Sequence, residues 1–102
     1  MKLITLQAIP NQTVIVTLDG RRYEIEIKFT GEFMTCGMLR DGEVIFNNGF
    51  RIVNGAPLIP YKYLESGNFA FQIPDNETPN YENFQSTQFL FYATQEEIEA
   101  VR

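Results

Sequence analysis

The chain contains few residues that could carry out chemistry. Histidine is absent from its 102 residues, and this removes the commonest general base and the commonest metal ligand. Cys36 is the single cysteine, so no intrachain disulfide can form and no histidine can activate the thiol. Zinc-ligand spacing and a Walker-type glycine loop are also missing from the sequence. We therefore expect Cys36 to be a buried structural thiol.

The thirteen acidic residues leave a glycosidase-like carboxylate pair open on composition alone. Glu24 and Glu26, however, alternate with apolar residues, which is typical of an exposed strand face. Asp75 and Glu77 flank Asn76 like calcium ligands, but the segment lacks the glycine and the bidentate acid of a calcium loop. The sequence therefore predicts no enzymatic activity, no catalytic residue, no metal and no cofactor.

Composition limits the remaining classes of function. The net charge is −5 and no polybasic run is present, which argues against binding to a nucleic-acid backbone. No stretch approaches the ~20 apolar residues that span a bilayer, and the N-terminal segment is too short and polar for a signal sequence. We expect residues 1–102 to form a single soluble β-rich domain made in the cytoplasm, without a membrane or nucleic-acid partner.

The element around which the predicted fold is organised is a β-hairpin over residues 13–29. Its second half alternates strictly between charged and apolar residues, as a half-buried strand does. Asp19-Gly20 supplies the positive φ values that a two-residue turn requires. This turn sets the predicted register, in which Leu18 opposes Arg21, Val16 opposes Tyr23, and Val14 opposes Ile25.

Further turn signals divide the chain into short strands. A first strand is predicted over residues 2–8, and Asp41-Gly42 predicts a second hairpin with Leu39 opposite Val44 and Met38 opposite Ile45. Asn47-Asn48-Gly49 predicts another turn. The spacing is typical of an all-β fold, a small barrel or sandwich of seven to eight mainly antiparallel strands.

Residues 56–64, APLIPYKYL, interrupt this rhythm and are called here the proline-tyrosine segment. Two prolines remove backbone donors, yet the segment is strongly apolar. Two interpretations stay open: a loop that covers the core, and a docking surface for another protein, since aromatic residues are enriched in interface cores.

Two features follow towards the C-terminus. Residues 89–92, FLFY, are apolar on both faces, which suits a central strand or a strand whose outer face meets a partner. Thr94 and Glu97 have the spacing of a capping box and predict a short C-terminal helix. Residues 74–86, which precede the strand at residues 89–92, are called here the acidic loop. We expect Tyr81 and Phe84 to hold the loop against the core, and its role is left open.

Nine phenylalanines and five tyrosines are more aromatics than one small core readily uses, so binding is the remaining class of function. The predicted partner interface consists of Pro57, Leu58, Ile59, Pro60, Tyr61, Tyr63, Phe89 and Phe91. The alternative is a small carbohydrate- or ligand-binding β-module that uses Tyr61, Tyr63 and Tyr81 as stacking platforms.

Several motifs resemble those of a known family. They are Pro10-Asn11-Gln12 with the alternating residues up to Leu18, then Gly20 and Tyr23, the segment from Gly55 to Leu64, and Gly67-Asn68-Phe69 with Phe71. In order and spacing they resemble the baseplate plug proteins of contractile-tailed bacteriophages, from about Ile4 to Tyr92.

The resemblance implies a structural role in the virion. Such plugs are small β-rich subunits on the axis of the tail baseplate, which help to close the tail tube and contact hub and spike proteins. It implies assembly in the host cytoplasm with hub, spike and tail-tube partners. The tape-measure protein and further copies of the chain are additional candidate partners. No catalytic residue is carried over from the family.

Overall fold

The structure is a computed structural model that describes residues 1–60, 63–64, 67–94 and 96–97. The described part of the chain contains seven strands and a short 3₁₀ helix, Tyr81–Asn83. The strands are β1 (Lys2–Ile4), β2 (Gln12–Leu18), β3 (Arg21–Phe29), β4 (Met34–Arg40), β5 (Glu43–Arg51), β6 (Gly67–Gln72) and β7 (Phe89–Thr94).

These strands form two antiparallel sheets. One has four strands in the order β2-β3-β4-β5, and the other has three in the order β1-β7-β6. The described strands do not close into a barrel, so the sandwich is the correct one of the two predicted architectures. The predicted first strand is shorter than expected and ends at Ile4. β7 is the central strand of its sheet, which is one of the two interpretations that its apolar sequence left open.

The core lies between the inner faces of the two sheets. Tyr23, from the four-stranded sheet, meets Phe69 of the other sheet edge-to-face, with ring centroids 5.1 Å apart. Cys36 is fully buried in this core, and burial raises the pKa of its thiol to about 12. The expectation of a buried structural thiol is therefore confirmed.

The first hairpin has the predicted register throughout. Leu18 pairs with Arg21, and the pairing continues to Gln12 and Ile27 without a shift. Asp19 and Gly20 have φ values of 51° and 77°, which is the turn geometry that matches the twist of the flanking strands.

The second hairpin keeps the predicted turn but not the predicted pairing beyond it. Leu39 pairs with Val44 as expected, whereas Met38 pairs with Phe46 and not with Ile45. The predicted turn at residues 47–49 is also wrong, because β5 continues through it to Arg51. Five residues of β5, from Phe46 to Phe50, lie opposite the three residues of β4 from Cys36 to Met38, so the turn-forming residues are accommodated as an irregularity inside the strand.

Asp41 connects the turns of the two hairpins. Its carboxylate accepts from the backbone N–H of Arg22 at 3.0 Å and from the Arg21 guanidinium at 2.8 Å. These contacts, the backbone hydrogen bond first, lower the pKa of the Asp41 carboxyl group. The turns of the four-stranded sheet are thus fixed to each other at one end.

The N-terminal part of the predicted C-terminal helix carries the expected cap. The Thr94 backbone N–H donates to the Glu97 carboxylate at 3.1 Å, and the Glu97 N–H donates to the Thr94 hydroxyl at 3.2 Å. The rest of the predicted helix, from residue 98 onward, lies outside the described residues.

One hydrogen bond crosses between the sheets at the tip of the first hairpin. The Tyr92 hydroxyl donates to the Asp19 carboxylate at 2.8 Å, whereas the buried Tyr23 hydroxyl has no hydrogen-bond partner among the described residues. Tyr92→Phe should therefore lower the free energy of unfolding by about 1–2 kcal/mol, because this bond involves a charged acceptor.

Tyr23→Phe is the matched control for this prediction. It removes the same hydroxyl from the same core and should leave stability equal or higher. Chemical denaturation of the two variants measures the difference, and an equal loss in both would show that the link to Asp19 contributes nothing.

Candidate partner interface

Residues 54–59, which include the first part of the proline-tyrosine segment, lie beside β6 and cover that strand's open edge. The Gly55 N–H donates to the Phe71 carbonyl at 2.8 Å, and the Leu58 N–H donates to the Phe69 carbonyl at 2.9 Å. Leu58 and Ile59 are buried in the core, whereas Pro57 and Pro60 are exposed. The two predicted interface residues with aliphatic side chains therefore face inward, and the two prolines face solvent.

Asn68 holds this segment in place. Its Oδ1 accepts from the Ile59 N–H at 2.7 Å, and its Nδ2 donates to the Ile59 carbonyl at 3.0 Å. The same Oδ1 accepts from the Phe69 N–H at 2.8 Å. Asn68 thus satisfies both backbone groups of a residue that no regular strand pairs, which is the requirement for burying irregular backbone.

Gly67 is the first residue of β6. A Cβ at this position would lie 2.4 Å from the Ala93 carbonyl oxygen and 2.7 Å from the Tyr92 ring. Close approach of β7, and not a turn, is therefore the reason for this glycine.

Phe89 and Phe91 lie on the outer face of the three-stranded sheet. Both are half-buried, with ring centroids 6.2 Å apart. Phe91 pairs with Leu3 on one side and with Ala70 on the other, so these three residues form an apolar row across the sheet. Leu3 is 43% exposed. We call Leu3, Ala70, Phe89 and Phe91 the outer apolar face.

Of the three tyrosines in the carbohydrate alternative, the two that the structure describes, Tyr63 and Tyr81, do not form open stacking platforms. Tyr63 and Tyr81 are half-buried and pack against the core, and Tyr81 also contacts the Phe29 ring at 5.5 Å between centroids. The Tyr63 carbonyl accepts from the Arg40 guanidinium at 2.7 Å. Tyr61, which belongs to the predicted interface and to the carbohydrate alternative, lies outside the described residues.

The buried side chain of Gln88 helps to hold the acidic loop in place. Gln88 is fully buried; its Nε2 donates to the Glu77 carboxylate at 3.0 Å and to the Thr78 carbonyl at 2.8 Å. Its Oε1 accepts from the Asn80 N–H at 3.0 Å. Phe84 is buried and Tyr81 is half-buried against the core, so both expected hydrophobic anchors are confirmed.

A shallow groove of about 320 Å³ lies between this loop and the end of β5, with Arg51, Asp75 and Glu77 in its lining. Among the described residues, no group of three acidic, histidine or cysteine side chains could hold a metal ion. The described part of the chain also contains no helix with the length and apolar character needed to cross a membrane.

Sequence reasoning did not identify Asn68, Gln88 or the exposed Leu3 as parts of these surfaces. A weak signal was present for the first two, because each polar residue directly precedes an apolar strand sequence, FAF or FLFY. Leu3 carries no comparable signal, since its exposure depends on a pairing with a strand almost ninety residues away.

Comparison with known proteins identifies the family. A protein-family model described as cyanophage baseplate Pam3 plug gp18 matches residues 1–96, which include all seven strands and the acidic loop. The chain belongs to this baseplate plug family. No curated protein shows significant similarity to the chain.

The resemblance read from the sequence is thereby confirmed, and the match extends beyond the stretch that suggested it. The baseplate plug family is a structural component of the phage tail and is not known for enzymatic activity. Membership implies a location in the virion tail and association with other baseplate components.

Proposed function

We propose that this baseplate plug protein closes the lower end of the tail tube and connects the tube to the hub and spike through protein–protein contacts. The observation that carries the proposal is the family match over residues 1–96. Assembly takes place in the host cytoplasm, with hub, spike and tail-tube proteins as neighbours. The tape-measure protein and further copies of the chain are additional neighbours to test.

The outer apolar face is the contact surface that we propose for a neighbouring subunit. It presents Leu3, Phe89 and Phe91 side by side on a sheet whose opposite face already forms the core. Aromatic and aliphatic side chains on an exposed sheet face gain free energy when a partner removes them from water. Phenylalanine is also among the residues that are enriched in the cores of protein–protein interfaces.

The proline-tyrosine segment contributes at the rim of this proposed interface. Among the described residues of the segment, Pro57 and Pro60 are exposed, and they present rigid apolar surface at low conformational cost. Leu58 and Ile59 support the segment from inside the core and do not contact the partner directly. Tyr61 and Tyr63 complete the set of proposed interface residues.

The experiment is co-purification of the tagged chain with the other baseplate proteins of the same phage, expressed together. Leu3→Glu should reduce the recovered partner at least about tenfold, because it puts a charge in the centre of an apolar contact. Leu3 is already 43% exposed, so the isolated variant should fold normally.

Val44→Glu is the matched control. Val44 is 50% exposed and lies on β5 of the other sheet, so the substitution adds the same charge to a similarly exposed strand position. Partner recovery should stay at the wild-type level with Val44→Glu. Equal recovery with both variants would reject the outer apolar face as the contact, and no recovery with the wild-type chain would reject the proposed association itself.

A further inference from the structure

The free edges of the two sheets differ in how well they are protected. The β6 edge is covered by residues 54–59, β1 has only three residues, and β5 is irregular with charged residues at both ends. Short strands, irregularities and covering loops are the usual devices against unwanted strand pairing. β2 has none of them: its seven residues, QTVIVTL, are uncharged, contain no proline and pair with β3 without a shift.

The position of the turn determines which backbone N–H and C=O groups of β2 point away from β3. In a two-residue hairpin the pair next to the turn, Leu18 and Arg21, exchanges both hydrogen bonds, and hydrogen-bonded pairs then alternate. The N–H and C=O groups of Thr13, Ile15 and Thr17 therefore point away from β3. The Phe29 N–H, which donates to the Asn11 side chain on the β2 side, agrees with this assignment. No described residue bonds to these outward groups.

The sequence of this edge is symmetric about Ile15. Residues 13–17 read TVIVT in both directions. If a second copy pairs antiparallel about Ile15, then threonine opposes threonine, valine opposes valine and isoleucine opposes isoleucine. Thr–Thr pairs and β-branched apolar pairs are favourable across antiparallel strands. Ile15 is 53% exposed in the single chain and would be covered by its counterpart.

The charges next to this edge also suit a second copy. In the same register, Thr17 of one copy pairs with Thr13 of the second copy. The row of side chains across the joined sheet therefore begins at Arg22 of one copy and ends at Glu26 of the second, so its two ends carry opposite charges. The neighbouring row contains Ile15 of both copies and ends at Glu24 of each copy. The two Glu24 Cα atoms are three strand spacings apart, which is about 14 Å. That separation exceeds the screening length of about 10 Å at ordinary salt. An acidic chain can therefore pair here without close like-charge contacts.

We propose that β2 is a self-association edge, through which two copies of the free chain pair antiparallel about a two-fold axis at Ile15. Each copy contributes its outward N–H and C=O groups at Thr13, Ile15 and Thr17, so the two four-stranded sheets join into one. The contact is isologous and closes at two copies. It does not depend on the proposed role in the baseplate, since it concerns the purified chain alone.

Analytical ultracentrifugation across micromolar to millimolar concentrations tests the pairing. The average mass should rise from 11.8 kDa towards twice that value, and the rise should reverse on dilution because strand pairing buries little surface. Ile15→Lys places two ammonium groups opposite each other and should abolish the rise, whereas Val44→Lys on β5 should not change it. A wild-type chain that stays monomeric at every concentration would overturn the proposal.

Cysteine crosslinking tests the register. In the proposed pair, residue 15 opposes its own counterpart at a Cβ separation of about 5.5 Å, whereas residue 13 opposes residue 17 of the second copy. Under mild oxidation Ile15→Cys should form a crosslinked dimer; Thr13→Cys and Thr17→Cys should do so only when mixed. The native Cys36 is buried, with its thiol pKa raised to about 12, so it should not contribute. Crosslinking of Thr13→Cys alone as readily as Ile15→Cys would overturn the two-fold axis at Ile15.

Discussion

Asn68→Ala should lower the free energy of unfolding by about 3 kcal/mol, because it leaves the buried N–H and C=O of Ile59 without partners. Each orphaned buried group costs about 1–3 kcal/mol, and the Phe69 N–H loses a contact as well. Urea denaturation measures the loss. Hydrogen exchange at the Leu58 amide should become faster in the same variant, because the segment that carries it is released from β6.

Two further variants make this prediction specific. Gln72→Ala removes an exposed amide from the same strand and should change stability by less than about 0.5 kcal/mol. Asn68→Asp keeps an acceptor for the Ile59 N–H but sets a buried carboxylate oxygen against the Ile59 carbonyl, so at neutral pH it should destabilise the chain at least as much as Asn68→Ala. A loss below about 1 kcal/mol for Asn68→Ala would mean that the segment does not need this hydrogen-bonded support.

The stability of the Asn68→Ala variant bears on whether the proline-tyrosine segment covers the core or docks a partner. With Leu58 and Ile59 in the core, a Gly/Ser replacement of residues 57–61 would remove buried side chains and should destabilise the fold. Such a replacement therefore cannot separate a docking role from a covering role. Single changes on exposed residues can, and for this reason the proposed interface is tested at Leu3.

The first hairpin was predictable from sequence because its turn and its pattern are both local. Asp19-Gly20 admits a two-residue turn, and strict alternation from Arg22 to Phe29 then leaves a single register that buries one face. The same reasoning failed in β5. There the path depends on β4, which pairs with residues on both sides of Asn47–Gly49 and so keeps these turn-forming residues inside the strand.

The candidate interface was partly predictable. The apolar character of residues 89–92 was compatible with the central strand that the structure shows, and the outer face of Phe91 follows from its alternation with Leu90 and Tyr92. Which residue of the proline-tyrosine segment faces inward could not be predicted, because its irregular backbone has no fixed period. The neighbours of β7 could not be predicted either, since β1 joins it from the other end of the chain.

Gln88 is the position at which we expect the second large effect. Gln88→Ala removes three hydrogen bonds from a fully buried side chain and should lower the free energy of unfolding by about 3 kcal/mol. The Thr78 carbonyl and the Asn80 N–H would lose their partner, and the cavity left by the side chain adds to the cost. Thermal or urea denaturation gives the total loss, and limited proteolysis between residues 77 and 87 should become faster.

Gln88→Glu distinguishes the stability lost with the hydrogen bonds from the stability lost to the cavity. Glutamate fills nearly the same volume, but it loses both donors and brings a carboxylate towards that of Glu77, which now accepts at 3.0 Å. It should therefore destabilise the chain at neutral pH and recover stability as the pH falls and one carboxylate is protonated. The linkage has this sign because burial and the neighbouring carboxylate raise the folded-state pKa of the introduced carboxyl group above its unfolded value. If Gln88→Glu is as stable as wild type at neutral pH, the hydrogen bonds of Gln88 are dispensable. The acidic loop would then be held by Phe84 and Tyr81 alone.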